Sequence, residues 1–416
     1  MKRKKHILFF LIIGLSIGIA FSQKINVELF TIENGLSQTS VLCLSQDSKG
    51  FIWIGTQDGL NKYDGYSFKI FKNEPHDTTS ITNNYIHCIT EDSRGNIWVG
   101  TNYGLNKLDI NTNTFVHYLA EDSNPEKLKE NEIYSVIEDS KGLIWIKSIN
   151  YLSRLNPKTG KFRHYEHYND VFNFTSVNTK FSILEDKEGN IWVGTKDGLN
   201  FFDQKLEIFK RYKHDKLNKS SISNDRVKVI YEDSKNNLWI GTDGGLNKFN
   251  KKNQQFTSYL NNPFDSNSLS NNIVNDIFQD NTGDLWIATD NGLNRFNEND
   301  ESFTAYNEFN FENQTIYITN VSSIIQDKSD IMWVGALQGI AKFERNKKDF
   351  KLYDKRNNNS PLFSNNYISS IFLDDDGIMW VGTWGTGLHL FDRKKQEVLK
   401  YNTTNSSIGN DFIHEI

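Results

Sequence analysis

Apolar positions recur along this chain in short runs separated by polar turns. One cycle reads Val227 to Tyr231, a turn at Asp233 to Asn237, Leu238-Trp239-Ile240-Gly241-Thr242, Gly245-Leu246-Asn247-Lys248-Phe249, and Gln255-Phe256-Thr257-Ser258-Tyr259. Runs of about five residues, rich in β-branched and aromatic side chains and bounded by Gly, Asn, Asp and Ser, predict four short strands. A longer stretch rich in Asn and Ser leads into the next cycle. Beyond the first 22 residues no stretch sustains a 3.6-residue period, so no further helix is predicted.

The tryptophans fix the repeat. Trp53, Trp98, Trp145, Trp192, Trp239, Trp286, Trp333 and Trp380 are separated by 45 residues once and by 47 six times. Four strands per repeat of this length is the signature of a β-propeller blade, whereas solenoid β-helices use much shorter repeats. Aspartate stands six residues before every one of these tryptophans, from Asp47 to Asp374, usually followed by Ser and by Gly three before the tryptophan. That string predicts a hairpin turn in which the carboxylate accepts backbone N–H bonds two residues on and Gly supplies a positive φ. It lacks the alternating ligands of a calcium loop, and Asp374-Asp375-Asp376-Gly377 is the same turn with extra acid. Glycine two after the tryptophan (Gly55, Gly100, Gly194, Gly241, Gly335, Gly382) lies inside a strand, which implies close approach of a neighbouring blade. The tryptophans themselves are expected to fill the space between blades.

Composition narrows the class. With 37% hydrophobic and 24% charged residues the chain has an ordinary globular content. Two cysteines are too few for a disulfide framework or a thiolate metal site. Cys43 and Cys88 occupy one repeat position, four before the turn aspartate, where other repeats place Ser135, Ser182, Ser323 and Ser370. We expect two unlinked buried thiols there. The net charge of −5 argues against a nucleic-acid footprint. Lys2, Arg3, Lys4 and Lys5 precede an apolar run from Ile7 to Phe21 that ends in Ala20-Phe21-Ser22, a pattern that reads as a signal peptide over residues 1–22. An uncleaved anchor is the alternative, although the run is shorter than a bilayer span requires. Loss of the leader takes its four cations with it and moves the charge from −5 to −9.

The string Asp-Ser-x-Gly-x-Ile-Trp-Val-Gly-Thr-x-x-Gly-Leu-Asn-Lys-Phe/Leu-Asp, with Asn-Gly-Leu-Ser at residues 34–37 before the first blade, resembles the two-component regulator propeller repeat over residues 27–416. The resemblance implies the N-terminal periplasmic sensor region of a hybrid two-component histidine kinase of Bacteroidetes type. Such proteins carry two seven-bladed propellers, a β-sandwich, a membrane helix and cytoplasmic kinase, receiver and DNA-binding modules, and many sense carbohydrates. It also implies an exported chain anchored in the inner membrane only through a later segment, a homodimer in the full-length sensor, and no nucleic acid in this portion. The last residues, Asn410 to Ile416, match the first strand of a further repeat (Asn84 to Ile89), so the chain reads as an N-terminal fragment.

The expected architecture is all-β: a leader (1–22), a seven-bladed ring of four-stranded antiparallel blades (23–349) and the truncated start of a second propeller (350–416), opening with Phe350 to Tyr353. Residues 27–32 resemble a fourth strand without its own first three. Such a strand would leave backbone groups unpaired, so it should dock beside Gly339 to Phe343 in the blade of Trp333. Closure at eight blades, with residues 27–32 beside Gly387 to Phe391, is the alternative.

In a four-stranded antiparallel blade the loops from strand two to three, and from strand four to the next blade, share one face. That face gathers the variable pairs Gln57-Asp58, Asn102-Tyr103, Lys196-Asp197 and Asp290-Asn291, and variation on a regular scaffold is where specificity is carried. Two blades break the pattern: Lys147-Ser148-Ile149-Asn150-Tyr151 replaces Gly-Thr-x-x-Gly, and Gly382-Thr383-Trp384-Gly385-Thr386-Gly387 is one residue longer. Local drift or an inter-propeller contact is the structural alternative to ligand contact at these sites. The candidate ligand-binding residues are thus Lys147, Asn150, Tyr151, Trp384, Tyr103, Asn102, Asp58, Lys196 and Asp197.

No catalytic or metal motif stands out. His164 and His167, three apart on a strand, should face opposite ways. There is no Gly-x-Ser-x-Gly, His-Glu-x-x-His or phosphate-cradling loop. The expectation is a sensor that binds an oligosaccharide or other small ligand without catalysis and without a cofactor. A secreted propeller enzyme acting on polysaccharide through paired carboxylates, and a protein-interaction scaffold, are the competing classes.

Overall fold

The computed structural model describes residues 25–121, 124, 126–166, 182–312, 314–344, 367–392, 395 and 397–416. The expected leader, His167 and the run Phe350 to Tyr353 lie outside the described residues. The chain divides into two compact units, Met1–Arg345 and Asn346–Ile416.

In the first unit the described residues form seven four-stranded antiparallel sheets, here blades 1 to 7 in order of Trp53 to Trp333. Blade 5 is typical, with strands Val227–Glu232, Leu238–Thr242, Gly245–Asn250 and Gln255–Tyr259. The first strand of each blade lies against that of the next, and that of blade 7 (Ser323–Gln326) lies against that of blade 1 (Val41–Gln46). The outer strand of blade 7 is Glu28–Phe30, whose residues pair antiparallel with Lys342, Ala341 and Ile340. This is the partner expected for residues 27–32, and it ties the start of the unit to its end.

The sequence dictates the contacts between blades. Each turn aspartate uses one carboxylate oxygen twice, as Asp233 Oδ1 does for the N–H groups of Lys235 (2.9 Å) and Asn237 (2.8 Å), while Oδ2 takes the indole N–H of Trp239 at 2.8 Å. The six-residue spacing is what lets one side chain both close the hairpin and fix the tryptophan. In the first unit those tryptophans are 0–3% exposed. The glycine two positions on leaves room for the next blade: a Cβ at Gly241 would stand 2.5 Å from Val274 Cγ1, and one at Gly335 would stand 2.6 Å from Val41 Cγ1. Beneath, a belt of bonds runs from turn to turn. Ser48 N–H donates to Glu91 (2.6 Å), Ser140 to Glu185 (2.6 Å), Lys187 to Glu232 (2.7 Å), Ser234 to Gln279 (2.7 Å), Asn281 to Gln326 (2.8 Å) and Lys328 back to Gln46 (2.9 Å).

Three features depart from expectation. A single 3-10 turn, Ile32–Asn34, follows the N-terminal strand, capped by the Thr31 side chain and ended by Gly35 at φ 98°. A hairpin, Glu308–Phe311 with Gln314–Tyr317, is inserted between blades 6 and 7 and takes Ile25–Asn26 as a parallel third strand. The buried Phe309 anchors it to the core. Finally, Cys43 and Cys88 are in no disulfide and Cys43 is buried, as expected, but Cys88 is only half-buried. In the second unit the described residues form one four-stranded sheet, Ile368–Leu373, Ile378–Thr383, Leu388–Asp392 and Glu397–Tyr401. No helix among the described residues is long and apolar enough to cross a membrane.

Candidate ligand-binding face

The loops expected to share one face are locked to each other by the repeat. In blade 1 the buried Asn61 accepts the N–H of Ser37 at 2.9 Å and donates to its hydroxyl at 2.8 Å, tying the segment that enters the blade to its third strand. Asn106, Asn247 and Asn294 accept the corresponding N–H of Thr82, Ser223 and Ser270 at 2.9–3.0 Å. Beside it Thr56 Oγ1 donates to Gly59 O (2.9 Å) and accepts from Asp58 N (3.1 Å), which fixes the turn presenting the variable pair. The Asn and Thr of Gly-Thr-x-x-Gly-Leu-Asn are therefore internal fasteners. Their fixed spacing carried that signal, which the sequence reading did not use.

The candidate residues fall into distinct settings. Asp58 is half-buried and holds Lys72 Nζ (2.6 Å) and Asn84 Nδ2 (3.0 Å). Asp197 is held by Arg211 Nη1 at 2.7 Å and Lys213 Nζ at 2.5 Å, beside the exposed Lys196. Tyr103 is 53% exposed, and its neighbour Asn102 reaches inward to His87 Nε2 at 2.5 Å. Asn150 is clamped to Glu130 through its N–H (2.9 Å) and its side chain (2.6 Å). Tyr151 is half-buried and edge-on to His164. Trp384 is 53% exposed, in the second unit, edge-on to His414.

Lys147, another of the candidates, is enclosed. It is 1% exposed, and its ammonium is bonded to the carbonyls of Ser148 and, at 3.0 Å, Ile149, inside its own turn. Burial pushes it down to about 7, with Glu130 pulling the other way. A lysine at the glycine position of the repeat thus folds back onto the carbonyls of its own turn.

The residues that converge are others. One step before the position of Cys88 and Ser135, in or just before the first strands, stand Leu42, His87, Tyr134, Lys228, Asn275 and Ser322, of which His87, Tyr134, Lys228 and Asn275 line one cavity. Three of these pair with the variable loops: His87 with Asn102, Asn275 Nδ2 with Asp290 Oδ1 at 2.8 Å, and Lys228 Nζ with Asp243 Oδ1 at 3.7 Å. Burial pushes the His87 imidazole down to about 4, the Asn102 bond opposing the shift, so it is neutral at pH 7. Sequence reasoning missed them because the variable position lies within a strand rather than a loop. Among the described residues no group of three or more His, Cys, Asp and Glu could hold a metal ion.

Comparison with known proteins agrees with this architecture. The two component regulator propeller model matches residues 35–58, 80–103, 173–197, 221–244, 268–291 and 362–385. A stretch of 53 residues, 13% of this chain and 4% of the relative, is 57% identical to a protein named Histidine kinase P4 from Formosa agariphila. The extracellular domain of a putative hybrid two component system from B. thetaiotaomicron superimposes with a TM-score of 0.66 at 23% identity, over 93% of this chain and 62% of that one. A streptogramin B lyase matches with a TM-score of 0.57 at 15% identity, over 77% of this chain and 98% of its own, a likeness of fold alone. The chain spans less than two thirds of the length of the kinase and of the hybrid-system domain it matches. The recurrent motif and the six matched segments show that this chain carries two-component regulator propeller repeats.

Proposed function

We propose that this chain is the exported, periplasmic ligand-sensing region of a membrane-anchored hybrid two-component histidine kinase, binding an oligosaccharide on its loop face and catalysing nothing itself. The observation that carries the reading is the set of loops held on one face by buried Asn and Thr fasteners, where the scaffold is constant and only the presented side chains differ. The resemblance to the extracellular domain of a hybrid system and to a histidine kinase supports the signalling role. In the whole protein the region would act as a homodimer, with the membrane reached through a later segment and no nucleic acid at this portion. Calorimetric titration of the purified protein with a panel of tetrasaccharides, followed by chromatography of the mixtures, tests the reading. Saturable binding with every glycan recovered intact is expected; a glycan cleaved in step with added protein would overturn it in favour of an enzyme.

A further inference from the structure

We propose that the axial cavity of the first unit holds the terminal sugar of an uncharged glycan, between an aromatic wall on blades 2 and 3 and a polar wall on blades 5 and 6. The inference rests on the sensing reading above and deepens it. The cavity has a volume of about 250 Å³ and is lined by first strands, with His87 and Tyr134 on one side and Lys228, Asn275 and Asp276 on another. That volume falls just below the range of roughly 300–1,000 Å³ typical of sites for larger small molecules, so one ring fits better than two.

The repeat serves as an internal reference. At the step before, six of the seven blades of this unit carry a buried β-branched residue (Val41, Ile86, Ile133, Val227, Val274 or Val321), which is what packing requires; the equivalent position of the blade of Trp192 lies outside the described residues. At the next position, which supplies His87, Tyr134, Lys228 and Asn275 to the lining, the types diverge from Leu42 to Lys228. Packing alone is satisfied by leucine there. Lys228 is 7% exposed, a costly place for an ammonium, and its Nζ is met by Asn275 Oδ1 at 2.5 Å and by Asp243 at 3.7 Å, which Arg226 Nε also contacts at 3.0 Å. A polar network of this cost, which the fold does not need, is explained by a polar ligand.

The two walls match a sugar ring. In the cavity wall the rings of His87 and Tyr134 lie 4.8 Å apart and tilted by 49°, two aromatic faces of which one can take the apolar face of a pyranose. Lys228 and Asn275 offer donors and acceptors for its hydroxyl edge. Of the charged groups, Lys228 and Asp276 line the polar wall, and Arg226, Asp243 and Asp290 stand behind it as partners of Lys228 and Asn275; together they leave one carboxylate in excess, which disfavours a uronate or sulfated unit. Because the blades surround the cavity, entry is along the axis, and a polymer must present an end rather than its middle.

The test uses the purified protein and tetrasaccharides of glucose, galactose, xylose and mannose, with their sulfated or uronate counterparts and the matching monosaccharides. For each neutral tetrasaccharide that binds, its terminal monosaccharide should displace it. Lys228→Met and Tyr134→Ala should each weaken binding by about tenfold or more, as loss of a charged hydrogen bond or a stacking surface implies. Asn275→Ala is the second polar variant, should Lys228→Met lower the melting temperature. Binding unchanged in folded variants, failure of the monosaccharide to compete, or preference for the anionic glycans would overturn the inference while leaving the sensing reading intact. Binding of no glycan at all would overturn both.

Discussion

Replacing Phe30 by alanine perturbs the seam of the ring without touching the repeat. Phe30 is 6% exposed; its ring is stacked on Trp333 (5.9 Å, 19°) and lies 5.4 Å from Tyr63 and 5.9 Å from Phe68, so it joins the last blade to the first. Truncating a buried phenylalanine costs about 3–5 kcal/mol, and each aromatic pair about 0.5–1.5 kcal/mol beyond its buried area. Phe30 lies on a three-residue strand near the start of the described chain, where the site can partly collapse, so the low end, about 3 kcal/mol, is expected. One kcal/mol moves the midpoint by about 2–4 °C in domains of 150–250 residues and by less in larger ones, so a fall of about 5 °C is the forecast. Differential scanning calorimetry of the purified protein reads it, with Tyr66→Ala, at a residue 97% exposed, as the silent control. If Phe30→Ala melts within 1 °C of the parent, the strand does not close the ring and the reasoning fails.

Three further outcomes follow from particular contacts. Gly241→Ala places a Cβ 2.5 Å from both Val229 and Val274 and should cost about 1–3 kcal/mol by urea denaturation, whereas Gly409→Ala, with nothing within 4 Å, should leave the midpoint unchanged. Asp233→Ala removes the acceptor of Lys235, Asn237 and Trp239 N–H groups and should lose about 2–3 kcal/mol, with a tryptophan emission change reporting the freed indole. His87 is held near 4 in the fold, below its ordinary value of about 6.5, so the unfolded chain binds the extra proton and stability falls as pH drops from about 6.5 to 4. His87→Gln should remove up to about 3 kcal/mol of that acid loss, and parallel stability curves for the two proteins would refute the burial of this imidazole.

Much of this fold was legible because repetition amplifies weak local signals. The spacing of Trp53 to Trp333 marked the second strands, the turn aspartates marked the hairpins, and Gly55 and its equivalents marked where blades meet. Even the partner of Glu28–Phe30 followed, since a strand lacking its own sheet has few places to go. The hairpin at Glu308–Phe311 did not, because it occurs once and has no periodic counterpart. Site residues were harder for a related reason. Sequence shows which positions differ, but whether a side chain faces the axis, a neighbouring blade or its own turn is set by packing between blades. Lys147 differed most and is enclosed in its turn, while Lys228 and His87 looked like ordinary strand residues and line the cavity.

The central claim, that ligand is sensed on the loop face around the axis, is tested most directly by hydrogen-exchange mass spectrometry. The purified protein is compared with and without saturating amounts of the tightest-binding tetrasaccharide of the panel. The account predicts slowed exchange at residues 85–88, 101–104, 132–135, 226–229, 242–245 and 274–276, and no change at the opposite turns 47–51, 92–96, 139–143 and 233–237. Protection confined to those turns, or an exchange pattern that no glycan of the panel alters anywhere, would contradict it.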